Sequence, residues 1–142
     1  MEYIFGIFMI LHGLVHLLYF GQSQKLFELQ PDMVWPEGSW IFSRLYEHQP
    51  PQWVSGIIFT LSAVTFIIAA ILLIAGGAGL IFGQPWWRPI VVSAAIFSSI
   101  IIILFWDGQR STWRDQGGIG FLINKGILTV VIILFSPTWD NW

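Results

Sequence analysis

The chain has no cysteine among its 142 residues, which excludes a disulfide framework, a thiolate metal site and thiol redox chemistry together. Charge is nearly as scarce. Only 10% of the residues are Asp, Glu, Lys or Arg, the formal net charge is -2, and no basic run occurs. A nucleic-acid partner or a polybasic membrane anchor needs clustered cations, so neither fits. Also missing are a glycine-rich phosphate loop carrying a lysine, a G-x-S-x-G elbow and an intramembrane aspartate pair. There is no internal repeat, low-complexity tract or second domain.

What is present is apolar. With 56% hydrophobic residues and a mean hydropathy of +0.72, the chain lacks the polar surface a water-soluble domain of this size needs. Crossing about 30 Å of hydrocarbon takes roughly 20 residues of helix. Four runs qualify or come close, predicting helices over 3–20, 54–75, 89–106 and 118–136. The expected fold is an all-α integral membrane four-helix bundle, one domain over 1–142, with a long, partly helical first loop at 21–53. The first run is expected to stay in the mature protein, because Glu2 stands where a signal peptide has basic residues and no A-x-A site follows. Apolar character continues from Ile74 to Gly83, too far for one untilted span, so Gly76 and Gly77 are expected to break or bend the second helix.

Trp35, Trp40, Trp53, Trp86, Trp87, Trp106, Trp113, Trp139 and Trp142 all lie at the ends of the runs or between them. That is the headgroup level, where an indole ring is buried and its N–H stays wet. Lys25 and Arg44 occupy the first loop, Arg110 and Arg114 the third, and Lys125 lies just inside the fourth helix on that side; only Arg88 marks the other. By the positive-inside rule the first and third loops are expected to be cytoplasmic and both termini outside, although the first loop also carries Glu28, Asp32, Glu37 and Glu47. That loop is too long for a simple bundle connection. Ser39 is the expected N-cap of a short helix at about 39–48, ended by Pro50 and Pro51. Its Trp40, Ile41, Phe42 and Leu45 either lie on the membrane surface or fold over the bundle end.

In LHGLVHLLYF, His12 and His16 are four residues apart, so they share one helical face about 6 Å apart along the axis. Helix four enters from the same side of the bundle, which puts Asn124 and Lys125 at a depth close to that of His12. Thr60 of helix two and Asp107 at the end of helix three belong to the same leaflet. Lys125 must either snorkel to the headgroups or find an internal partner. The histidines have several readings. As neutral imidazoles they would bond to backbone or to serine and threonine on neighbouring helices. As metal ligands they are two of the three or more a zinc or iron site wants, and Glu47, His48 and Asp107 could complete the set only if the first loop folds inward. Bis-histidine haem ligation needs ligands from opposite faces of the ring, which one helix face does not offer, while a single-histidine tetrapyrrole site stays open. Ala94 with Ser98, and Ala95 with Ser99, are small i, i+4 pairs read as helix packing.

The order of parts, a first helix bearing HG in FMILHGLVHLLYFG, a structured amphipathic first loop and three more spans, resembles the DoxX-like family of small four-helix membrane proteins. The resemblance covers most of the chain as architecture. Its local match is His12-Gly13 followed by a polar residue at His16, where the family often has lysine; the second span has WVSGIIF where members tend to carry an acidic residue. The resemblance implies a partner role, since DoxX itself is a membrane subunit of a thiosulfate:quinone oxidoreductase, and it implies a polar site around His12 and His16. The leading expectation is a binding or accessory subunit with a pocket for a quinone-like or lipid-like molecule, lined by His12, His16, Asn124, Lys125, Asp107 and Thr60. The others are a purely structural or assembly subunit, and a metal-dependent membrane enzyme using His12, His16, Glu47 and His48. Expected partners are the lipid bilayer and either other membrane subunits or a second copy of the chain.

Overall fold

Large apolar side chains cover the outside of this molecule as well as its interior, where a few polar ones are buried among them, unlike the polar exterior of a water-soluble bundle. The computed structural model describes residues 2–29, 31, 33–46 and 50–134. Its elements are α1 (Glu2–Ser23), α2 (Trp40–Leu45), α3 (Gln52–Ile81), α4 (Trp87–Phe105) and α5 (Ile119–Leu134), the last entered through one wide turn, Arg114–Gly118. Four of these, α1, α3, α4 and the turn with α5, are long and apolar enough to cross a membrane. The protein is an all-α, multi-pass membrane four-helix bundle.

The pattern on α1 shows how the sequence chooses its environment. Gly6, Met9, His12, His16, Tyr19 and Ser23 recur every three or four residues and are buried, while Ile4, Ile7, Leu11, Leu14 and Leu18 are exposed. Ile71 on α3, Ile100 on α4, and Leu122 and Ile132 on α5 are each more than half exposed as well. Water would penalise so much contiguous apolar surface, whereas acyl chains accept it.

Around the bundle α1 packs on α3, α3 on α4, α4 on α5, and α5 returns more lightly to α1. The α1–α3 interface is built by glycine. A Cβ at Gly77 would lie 2.6 Å from the carbonyl oxygen of Gly6, and one at Gly13 would lie 3.0 Å from that of Ala70. The two backbones therefore touch directly, as small residues permit in lipid. This corrects the expectation that Gly76 and Gly77 break the helix. The helix runs unbroken through both, and the missing side chains serve close approach, Gly76 toward Val91 of α4 and Gly77 toward α1. The glycine that ends α3 is Gly83, at φ +63, with Gln84 N–H donating 2.8 Å to the Gly79 carbonyl.

At 30 residues α3 is about 45 Å long, more than one hydrocarbon thickness. The end of α1 meets it at Phe59, whose carbonyl accepts from Gln24 Nε2 at 2.9 Å, so roughly two turns of α3 extend past α1 and carry the first loop. Within that loop Trp35 departs from the headgroup-level expectation. Only 1% exposed, it packs on Phe66 at 5.6 Å between ring centroids, and its Nε1 is buried with no partner among the described residues. The short helix is Trp40–Leu45, shorter than expected, and Ser39 holds the N-cap position without a side-chain capping bond. The helix is tied to the end of α4, where Trp40 Nε1 donates 2.8 Å to the Ile103 carbonyl and Trp40 N–H 2.8 Å to that of Trp106.

Two apolar clusters form the interior. One gathers Met9, Leu73, Leu80, Val91, Ala94, Ile127 and Val131; the other, toward the first loop, gathers Tyr19, Trp35, Ile58, Phe66, Ile101, Ile102 and Phe105. Between them along α1, α4 and α5 lie His12, His16, Ser98 and Asn124. The turn that sets α5 in register depends on Gly117, at φ +103, where a side chain would be strained and would press on Ile102. Beside it, buried Gln116 accepts from Asp107 N–H at 2.9 Å and donates to Asp107 Oδ2 at 2.9 Å, tying the end of α4 to the start of the last span.

Candidate functional site

His12 and His16 are 3% and 0% exposed, with ring centroids 4.8 Å apart and planes at 85°. His12 Nε2 lies 2.7 Å from Asn124 Oδ1 on α5, and Asn124 Nδ2 lies 2.8 Å from Ser98 Oγ on α4. Ser98 Oγ is also bonded to His16 Nε2, and His16 Nδ1 lies 3.0 Å from the carbonyl oxygen of His12, one turn back. The chain of bonds thus leaves α1, passes through α5 and α4, and returns to α1. It crosses the bundle at a level where glycine contact holds α1 only to α3.

The protons can be placed by elimination. A carbonyl oxygen only accepts, so His16 Nδ1 carries hydrogen, and a neutral His16 then offers a lone pair at Nε2. Ser98 must donate its hydroxyl to that lone pair, leaving Oγ to accept from the Asn124 amide. Asn124 Oδ1 consequently accepts from His12 Nε2–H. Every bond points one way, and two groups are left over, the second Asn124 amide N–H and one imidazole lone pair. His12 Nδ1, a lone pair in this arrangement, is buried with no partner among the described residues. Such an orphan costs about 1–3 kcal/mol when nothing fills it.

The expected site residues separate into two groups. His12, His16 and Asn124 are brought together, as their matching depth implied. Lys125 is not with them. It is exposed on the lipid-facing side of α5, because residue 124 already takes the inward position and the next residue turns about 100° away. Thr60 is exposed on α3 and bonds its own helix, 2.9 Å to the Gly56 carbonyl. Asp107 is held in the third loop by Thr112, Gln116 and the Gln109 backbone, apart from the histidine chain. Glu47 and His48 lie outside the described residues.

Ser98 was the residue read otherwise, as packing only; it is the junction of the chain. A signal existed, since Ser98 is the one hydroxyl in the buried series Val91, Ala94, Ala95, Ser98, Ile101, Ile102. The α1 stripe also extends farther than its histidines. Tyr19 sits against Gly120, and Gln22 Nε2 donates 2.8 Å to the Asp115 carbonyl, so polar groups follow the whole α1–α5 seam.

For a metal, the donor set is small. No group of three His, Cys, Asp or Glu side chains that could hold an ion is found among the described residues. Of the four imidazole nitrogens, three are engaged, so an ion or haem iron would find one free lone pair, at His12 Nδ1.

The fold and site together define a four-span membrane bundle with a buried, directional polar layer. Comparisons with models of known protein families, with curated proteins and with solved structures return no match.

Proposed function

We propose that the protein is a non-enzymatic accessory or assembly subunit of a membrane complex, in which the histidine layer locks α1 to α4 and α5. The observation that carries this reading is that both imidazole N–H groups and the serine O–H of the layer are already engaged inside it, leaving only the second Asn124 amide N–H as a donor for a quinone carbonyl. The partner role implied by the DoxX-like resemblance agrees with it. A second reading, a subunit that binds a quinone-like or lipid-like molecule, is favoured by the bare His12 Nδ1. Such a ligand must bring a donor, as the hydroxyl of a reduced quinone or of a lipid headgroup does.

Organic extraction of purified wild-type protein and of a His12→Ala, His16→Ala variant separates the two. The lock reading expects lower unfolding free energy and an unchanged extract. Loss of a co-purified quinol or lipid from a variant that still folds would transfer the assignment to binding.

We further propose that the first and third loops face the cytoplasm and both termini the outside, supported by Lys25, Arg44, Arg110 and Arg114, all exposed in those loops. Because the chain has no cysteine, Gln84→Cys and Ser111→Cys can be labelled singly. An impermeant maleimide applied to intact cells should reach Gln84→Cys only; labelling at Ser111→Cys inverts the topology.

A further inference from the structure

At the third-loop end of the bundle, Trp106, Arg110 and Trp113 line a cavity of about 380 Å³. Its walls are fixed. The two indoles meet edge to face at 4.8 Å, Trp106 Nε1 donates 3.0 Å to the Gln109 carbonyl, and Trp113 meets Phe121 edge to face at 5.6 Å. Any side chain at Gly118 would collide with the Trp113 ring, so that glycine leaves the indole its place. Arg110 is exposed and forms no ion pair with a carboxylate among the described residues. The cavity therefore offers apolar, aromatic walls with the exposed Arg110 at its edge, directly after the last helical residue of α4, Phe105, where hydrocarbon gives way to headgroups.

We propose that this cavity takes the glycerol and first acyl carbons of an anionic phospholipid against Trp106 and Trp113, with the phosphate outside it on the exposed Arg110. A zwitterionic choline lipid presents the same phosphate but brings a cation toward Arg110, so the site discriminates by net charge. The volume is in the range of small-molecule pockets and suits the glycerol region rather than a whole lipid, whose tails would run down the apolar exterior. Free inorganic phosphate shares the chemistry and lacks the part that meets the indoles.

Native mass spectrometry of the intact protein, released from detergent with phosphatidylglycerol or phosphatidylcholine of matched chains, tests the site. Phosphatidylglycerol should be retained about fivefold better, the ratio that ~1 kcal/mol for one cation at an anionic surface corresponds to. Arg110→Gln, on an exposed loop position, should reduce that ratio to about one. Lys25→Gln removes the same charge from a cation paired to Glu37 at 3.0 Å and should leave the ratio unchanged. Adding inorganic phosphate at millimolar concentration should not displace the lipid. Equal retention of both lipids, a preference that survives Arg110→Gln, a preference lost equally in Lys25→Gln, or displacement by free phosphate each overturns the proposal.

Discussion

The two sides of α1 solve the same problem by opposite means. Toward α3 the helix presents Gly6 and Gly13 and is held along its length by backbone-to-backbone contact, with a polar bond only past its end, from Gln24 to the Phe59 carbonyl. Toward α4 and α5 it presents His12, His16, Tyr19 and Gln22 and is held by directional bonds to Ser98, Asn124 and the Asp115 carbonyl. Lipid tails are as apolar as leucine, so the hydrophobic effect favours neither face over acyl chains. Van der Waals fit and hydrogen bonding remain. The glycine face sets how near the helices come; the polar face sets which rotation and register of α1 is accepted, since a one-residue shift would leave several buried groups unpaired at once.

If this division is right, the glycine side should be the less forgiving of substitution. Gly77→Val drives a side chain into the Gly6 carbonyl and should cost roughly 3 kcal/mol or more, read by steric-trap unfolding in bicelles. Next comes Ser98→Ala, which strips a partner from both His16 Nε2 and Asn124 Nδ2 and should cost about 2 kcal/mol; a cost near zero would mean the layer is not connected as described. A double-mutant cycle between His12→Ala and Asn124→Ala isolates a single bond, and its coupling should fall near ~0.6 kcal/mol and below ~1.7. The smallest effect belongs to Lys125→Leu. With the lysine on the exterior, stability should stay within about 0.5 kcal/mol of wild type, whereas a large loss would place its amine among the buried groups.

Much of this was legible from composition and spacing. Run lengths gave the spans, and counting turns put His12 level with Asn124, because four alternating helices leave little freedom in depth. Rotation was less accessible. Depth alone does not say that Asn124 faces inward while its neighbour Lys125 faces out; that depends on the buried series Gly120, Asn124, Ile127, Val131, which is visible only once α5 is seen to start after Gly117. Glycine was misjudged at Gly76 and Gly77 because propensity rules from water treat it as a breaker, whereas in lipid an intact helical backbone with no side chain is an asset for packing. The loop was the least readable part. Trp35 looked like an interfacial anchor by position, and nothing local distinguishes it from the other tryptophans; its burial comes from Phe66 and Phe105, far along the chain.

That separation in sequence has a temporal side. Trp35 leaves the ribosome well before α3 and α4, which supply Phe66 and Phe105, so its seat does not exist when the first loop is made. The segment has to wait at the membrane surface until the later spans have been inserted and have closed around α1. Docking of this single indole is therefore a report of completed biogenesis, and a chain truncated before α4 would leave it waiting.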